Sequence, residues 1–363
     1  MHRHNNFNLI RAVAAFAVLV SHAYPIAWGG RTIQPLEDLL QLTGGLGRFA
    51  VIIFFIVSGY FITQSALRSK SSFDFWVARF LRIYPGLFVS LSLTVLLAAG
   101  VSTLSNSEYF SSRETYTYLP AGLSLLWIQY SLPGVFSGNP FPQVVNGSLW
   151  TLFYEVLCYV MVSVLATLGI LQHSKARVGF FVLYLVAYVA AKTMVLTGLT
   201  PAWVSPAANN FLNHLLELTP AFVIGMLFYV YRDQLPLNAI ICVVFVLGTA
   251  LSTNLPFHRE MLLFSAAFCT FYIGFRSLQV LYPFNNLGDY SYGIYIYAFP
   301  IEQLVAHLFG NISALTVVAI STPITIAISA ASWHTIEAPA LLLRSKVALG
   351  IAIRRPEIST QPD

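Results

Sequence analysis

Apolar stretches of membrane-spanning length recur along the whole chain, and short polar segments separate them. A helix needs about 20 predominantly apolar residues to cross the hydrocarbon core of a bilayer. The pattern therefore predicts an all-α polytopic membrane protein with about ten transmembrane helices. The predicted spans are 7–28, 45–66, 83–100, 148–170, 178–197, 211–231, 237–253, 260–275, 290–309 and 314–340. The apolar stretch 120–135 is short and bounded by prolines, so we expect an interfacial or re-entrant segment there.

Positively charged side chains are distributed unevenly between the two sides that these spans define. With the N-terminus in the cytoplasm, most Lys and Arg residues fall on the cytoplasmic side, because only Arg31, Arg48, Arg113 and Arg259 lie in exterior segments. Cytoplasmic loops of membrane proteins carry an excess of Lys and Arg. The distribution therefore predicts that both termini are cytoplasmic.

The spans divide the chain into a single transmembrane domain, 1–341, and a short basic cytoplasmic tail, 342–363. The longest exterior segment, 101–147, is rich in Ser, Thr, Tyr, Asn, Gly and Pro. It is too long for a simple connector. We therefore expect it to cover a site or to bind a polar ligand.

Composition excludes the ordinary soluble classes. Hydrophobic residues make up 57% of the chain and charged residues only 9%, whereas soluble domains are about a quarter charged. The net charge of +5 follows from the topology rule, and no basic stretch is interleaved with aromatic residues as nucleic-acid binding requires. The cysteines, Cys158, Cys242 and Cys269, fall inside apolar runs without metal-ligand spacing, so we expect no metal site.

Two ionisable residues of the first span need a partner or a cavity. Arg11 and His22 are eleven residues apart, which on a helix places them within about 20° of the same direction and about 16 Å apart in depth. Such groups usually face a cavity or a partner. Two simpler explanations stay open: Arg11 reaches the cytoplasmic interface, and His22 is a neutral histidine bonded to a backbone carbonyl.

Glu155 lies in the fourth span at a depth comparable to that of His22, about 10 Å from the outer edge. The two groups could form a carboxylate–imidazole pair that orients the ring and raises its basicity. The alternative is that Glu155 bonds polar neighbours and serves only packing. Ser148 and Trp150, at the start of this span, suit an N-cap and an interfacial anchor.

Arg79 and Arg82 precede the third predicted span and share one helix face because they are three residues apart. Two guanidinium groups in this position suit phosphate groups. A plain cytoplasmic anchor is the alternative. Pro85 is expected to start or kink the helix.

Six motifs occur in one order over nearly the whole chain and together carry a resemblance. They are Arg11-x10-His22, FFIVSGYFIT (54–63), Arg79-x2-Arg82-x2-Pro85, SLWTLFYE (148–155), SYGIYIY (291–297) and Trp333-x3-Glu337-x-Pro339. The sequence resembles the acyltransferase-3 family of integral membrane acyltransferases. It departs from many members at Ile52, where they have an acidic residue, and at Ala298, where they have His. These departures indicate a divergent acceptor.

The resemblance implies transfer of an acyl group, commonly acetyl from acetyl-CoA, to hydroxyl groups of surface carbohydrates such as O-antigen lipopolysaccharide or exopolysaccharide. It implies a location in the bacterial cytoplasmic (inner) membrane. By position, the family's essential arginine and histidine correspond to Arg11 and His22. Two further arginines implicated in the family correspond to Arg79 and Arg82.

On this basis we predict His22, Arg11 and Glu155 as catalytic residues, with His22 as the general base. The expected partners are acyl-CoA, a carbohydrate or glycolipid acceptor and the lipid bilayer. Phosphates of acetyl-CoA would be bound by Arg79, Arg82 and Arg11, and the acceptor by Ser148, Trp150 and Tyr295. Two alternatives stay open: a transporter with a proton path through His22, Glu155 and Glu302, and a binding or scaffold protein that has lost catalysis.

Overall fold

Helices account for the regular structure of this protein. The computed structural model describes residues 5–30, 32–199, 205–276 and 287–344, and within these ranges it contains no β-strand, only one isolated bridge between Ser102 and Val135. The all-α prediction is confirmed. The helices are α1 (Phe7–Trp28), α2 (Glu37–Leu40), α3 (Gly45–Arg68), α4 (Ser72–Ala98), α5 (Asn106–Ser111), α6 (Arg113–Ser124), α7 (Trp150–Thr167), α8 (Ser174–Leu196), α9 (Pro206–Val230), α10 (Ala239–Leu251), α11 (His258–Phe275), α12 (Ser291–Phe309) and α13 (Ala314–Ser332).

Every predicted span coincides with one of these helices. Seven helical segments of the described chain are long and apolar enough to cross a membrane: α1, α3, α4, α7, α8, α9 and α13 with its continuation to Arg344. The continuation passes through a π-helical turn, Trp333–Glu337. The count of ten crossings and the cytoplasmic placement of both termini stay predictions. The predicted tail beyond Arg344 lies outside the described residues.

Helix α4 begins at Ser72, well before the predicted start of its span at residue 83. Ser71 caps it, because its side chain accepts a hydrogen bond from the Asp74 backbone N–H. Hydropathy alone missed this polar first part of the helix. Pro85 lies inside α4 and does not start it, so Arg79 and Arg82 are interior residues of the helix.

Helix α3 packs tightly against α9 because both helices carry a glycine at their crossing. A Cβ atom on Gly59 would collide with the carbonyl oxygen of Phe222, and one on Gly225 with that of Ile56. Small residues let helix backbones approach this closely inside membranes. This close approach of α3 and α9 at Gly59 fixes the position of the adjacent Ser58.

The exterior segment folds back on the bundle. Helix α6 packs on α4, and the loop that follows it is anchored to α12 by side-chain hydrogen bonds. Asn139 Nδ2 donates to Gln303 Oε1 at 2.7 Å, Asn146 Nδ2 donates to the Ile296 carbonyl at 2.9 Å, and Gln303 Nε2 donates to the Val144 carbonyl at 2.7 Å. Within 120–135 no membrane-length helix forms, as predicted. The segment therefore covers one end of α12.

Candidate active site

A cavity of about 520 Å³ opens between α1, α3, α4, α7 and the start of α12. Its polar lining combines cations, carboxylates and hydroxyl groups from distant parts of the sequence. These residues are Arg11, Arg79, Arg82, Arg344, Glu155, Asp289, Ser58, Thr151, Tyr159, Ser291, Tyr292 and Tyr295. The structure therefore brings together Arg11, Arg79, Arg82, Glu155 and Tyr295, five of the residues that the sequence singles out.

Asp289 connects two of the cavity's arginines. Its carboxylate accepts a hydrogen bond from the Arg11 guanidinium and another from Arg82 Nη2 at 2.6 Å. Ser291 Oγ donates to the second carboxylate oxygen. Burial by itself would raise the pKa of Asp289, but the charges of Arg11 and Arg82 outweigh burial and hold this pKa at about 2. The carboxylate is therefore ionised and fixes both guanidinium groups.

Sequence reasoning missed Asp289. It lies in a loop just before α12, where an acidic residue attracts no notice, and no periodicity connects it with Arg11 or Arg82. One signal could have indicated a residue such as Asp289: cations inside a membrane protein need counter-charges, so Arg11 and Arg82 require a nearby carboxylate. Glu337, from the Trp333-x3-Glu337 motif, supplies part of that charge, since its Oε2 lies 3.6 Å from Arg82 Nη1.

Arg79 differs from Arg82 because no carboxylate of the described residues forms an ion pair with it. Its Nε is buried without a hydrogen-bond partner among the described residues. Its guanidinium carbon lies 5.8 Å from the centre of the Phe75 ring and 5.9 Å from that of Tyr159, distances typical of cation–π contacts. A guanidinium with free donors in a cavity is suited to bind an anion.

Glu155 does not pair with His22, and that hypothesis is wrong for this structure. Glu155 Oε1 accepts hydrogen bonds from Ser58 Oγ at 3.1 Å and from Tyr159 OH at 2.5 Å. The carboxylate faces α3 and the cavity, where two hydroxyl groups satisfy it. The alternative that Glu155 bonds polar neighbours is the one that the structure adopts.

His22 and Arg11 lie in different environments. Arg11 lines the cavity, whereas His22 is not among the lining residues. The His22 ring packs edge-on against Phe299 at 5.1 Å, and its Nδ1 is buried without a hydrogen-bond partner. The two side chains, which helix geometry points in similar directions, therefore do not line one cavity in this structure. Helical periodicity gives the direction of a side chain but not what a neighbouring helix places in front of it.

Of the three residues predicted to bind the acceptor, Ser148, Trp150 and Tyr295, only Tyr295 lines the cavity. The Tyr295 hydroxyl donates to the Ser148 carbonyl at 2.8 Å and lies 2.5 Å from Thr151 Oγ1. Ser148 is not the N-cap of α7; that position is Leu149, and Ser148 Oγ is buried without a partner. Trp150 faces away from the cavity, towards Arg48.

Comparisons with known proteins add an independent observation. The family model described as "Acyltransferase domain" (Acyl_transf_3) matches residues 4–334. The chain is 30% identical over 351 residues to "O-acetyl transferase" of Shigella phage Sf6, covering 93% of this chain and 96% of that one. It is 29% identical over 378 residues to "Nodulation protein 10" of Rhizobium leguminosarum bv. viciae, covering 94% and 95%. No solved structure matches significantly.

Proposed function

This chain belongs to the acyltransferase-3 family and is an integral membrane acyltransferase, and on that premise we propose that it transfers acetyl from cytoplasmic acetyl-CoA to a hydroxyl group of an extracytoplasmic carbohydrate. The similarity to the O-acetyl transferase of Shigella phage Sf6 supports an ester product. We place the protein in the bacterial cytoplasmic membrane, where the donor and a surface glycan precursor are available on opposite sides.

The observation that carries the proposal is the cationic cavity. Four arginines line it, and Nε of Arg79 is buried with no hydrogen-bond partner among the described residues. Guanidinium groups bind phosphate oxygens through paired hydrogen bonds. In this proposal the phosphates of acetyl-CoA bind at Arg79 and Arg344, and the pantetheine arm extends past Glu155 towards Tyr295.

Arg11 and Arg82 have a different role from Arg79 in this scheme. Because Asp289 neutralises part of their charge, they position the donor rather than provide the strongest attraction for its phosphates. Their guanidinium groups are held in a fixed orientation, which lowers the entropy lost on binding.

His22 is the proposed general base. The acceptor hydroxyl attacks the thioester carbonyl and its proton passes to His22. The carbon–sulfur bond then breaks, and the leaving coenzyme A thiolate takes that proton from His22, which regenerates the neutral base. Nδ1 of His22 is buried without a hydrogen-bond partner among the described residues, which supports this role: in the tautomer protonated at Nε2 its lone pair is available to accept a proton. The acceptor would enter between Tyr295 and the Phe299–His22 contact, which requires these rings to move.

Acetyl transfer from labelled acetyl-CoA to the surface glycan fraction of a strain that lacks the gene tests the proposal. We expect glycan-dependent release of the coenzyme A thiol by the purified protein. The rate should fall at least 100-fold in His22→Ala and Arg11→Ala variants that retain the wild-type melting temperature. His173→Ala, which removes an exposed histidine, is the control. Full activity of either site variant would exclude this mechanism.

A further inference from the structure

A second group of charged side chains lies at the end of the bundle opposite Arg344. Its centre is Glu217 on α9. Arg48 Nη1 lies 3.0 Å from Glu217 Oε2, His214 Nδ1 lies 3.6 Å from the same oxygen, and Arg259 Nη2 lies 3.9 Å from Oε1. We refer to Arg48, His214, Glu217 and Arg259 as the outer cluster. Neither its carboxylate nor its histidine figures in the acyltransferase motifs.

The outer cluster has more positive charge and more hydrogen-bond donors than its own carboxylate can satisfy. Two guanidinium groups face one carboxylate. Nε and Nη2 of Arg259 are buried and have no hydrogen-bond partner among the described residues, because 3.9 Å is too long for a hydrogen bond. Leaving charged donors unsatisfied is costly. An acceptor from outside the protein would remove that cost.

Aromatic rings adjoin the outer cluster. The Trp150 ring lies 4.8 Å from the Arg48 guanidinium carbon and 4.4 Å from the His214 ring. Tyr154 lies 5.7 Å from the His214 ring and stacks on Phe211. The Phe211 side chain is partly exposed, at 39%. Aromatic rings next to guanidinium and carboxylate groups suit a sugar, whose C–H face packs on a ring while its polar substituents are hydrogen-bonded.

The position of the outer cluster relates it to the transfer reaction. Trp150 is the immediate neighbour of Thr151, which lines the donor cavity and contacts Tyr295. The outer cluster and the donor cavity therefore lie on either side of the Tyr295–Thr151 contact.

We propose that the outer cluster binds the acceptor glycan through an oxyanion that the glycan carries, either the carboxylate of an acidic sugar or a phosphodiester. The proposal rests on the proposed function, because it assigns the acceptor side of that reaction. Arg259 supplies the free donors, Arg48 the second positive charge, and Glu217 holds both guanidinium groups in place.

The test uses full-length protein and the surface glycan fraction from a strain that lacks the gene. One portion of the glycan is left native, a second has its carboxylates reduced to alcohols, and a third is dephosphorylated with hydrofluoric acid. Retention of the fluorescently labelled glycan on immobilised protein and transfer of labelled acetyl are measured for each. The variants are Arg259→Gln, Arg48→Gln and the control Arg113→Gln, which removes an exposed charge of the exterior segment.

We expect one of the two treatments to weaken retention by wild-type protein at least 10-fold, and the treatment that does so identifies the oxyanion. Arg259→Gln should weaken retention of native glycan similarly, raise its KM and leave the KM for acetyl-CoA unchanged. It should also remove the difference between native and treated glycan. Arg113→Gln should behave as wild type.

Equal retention of all three glycans by wild-type protein would overturn the proposal, as would wild-type retention by Arg259→Gln. These results are separable from failure of the proposed function. Oxyanion-dependent retention without any acetyl transfer would support the binding site and contradict the acetyl-transfer reaction. Acetyl transfer at the same rate to native and treated glycans would support the acetyl-transfer reaction and contradict the oxyanion-binding site.

Discussion

Asp289 Oδ2 lies 2.6 Å from Arg82 Nη2, although 207 positions separate the two residues in the sequence. The same carboxylate binds Arg11, so one residue from a loop orders an arginine of α1 and an arginine of α4. The cationic cavity thus depends on a carboxylate that no motif-spacing argument includes.

Replacement of Asp289 by Asn should disorder both arginines. Removing one partner of a buried ion pair leaves uncompensated charge and costs about 3 kcal/mol, and we expect the melting temperature in detergent to fall accordingly. The KM for acetyl-CoA should rise about 10-fold because the two arginines would no longer be held in a fixed orientation. A factor of ten corresponds to about 1.4 kcal/mol of binding free energy. Thermal unfolding and initial rates measure the two effects.

Asp233→Asn is the matched control, because Asp233 is 83% exposed and its contact with Arg232 at 3.6 Å is on the surface. Wild-type stability and KM in Asp289→Asn would contradict the bridging role.

The stability that Asp289 contributes should depend on pH in a defined range. The pKa of this carboxyl is lowered from 3.8 to about 2 in the folded protein, so its contribution is present above pH 3.8 and is lost as the pH falls towards 2. The difference in melting temperature between wild type and Asp289→Asn should be constant from pH 7 to 5 and shrink below about 4. A difference that already shrinks between pH 7 and 5 would contradict an ionised bridge.

Gly59→Ala should destabilise the packing of α3 on α9. The new methyl group would collide with the Phe222 carbonyl oxygen, and backbone atoms cannot move aside as a flexible side chain can. Overpacking typically costs about 1–3 kcal/mol. Gly179→Ala, where a Cβ meets no atom within 4 Å, should be neutral or slightly stabilising. Equal melting temperatures for the two variants would contradict the close approach.

Glu155→Gln tests whether the carboxylate acts through His22. Because Glu155 bonds Ser58 and Tyr159 and not the imidazole, the variant should lower kcat while leaving the pH dependence of kcat/KM in place. Tyr159→Phe, which removes one of the two hydroxyl donors, should have a smaller effect on kcat. If the pH profile of Glu155→Gln were displaced by one unit or more, the result would support the carboxylate–imidazole pair and contradict this prediction.

The sequence by itself determined the helical architecture, because apolar length and helix-terminating segments are local properties. Each of the ten predicted spans coincides with a helix, whereas the polar start of α4 and the short helices α2, α5 and α6 were missed. The motifs also identified the family, and Arg11, Arg79, Arg82, Glu155 and Tyr295 do line one cavity.

Tertiary structure alone decided which of these groups meet. Periodicity placed Arg11 and His22 in similar directions on α1, but Phe299 of another helix packs against the imidazole, and depth alone did not make Glu155 its partner. The role of Asp289 follows only from the tertiary structure, which brings the first turns of α1, the interior of α4 and the loop before α12 together. The physical reason is that a helix's own geometry fixes where a side chain points, whereas charge pairing and burial depend on what the neighbouring helices present to it.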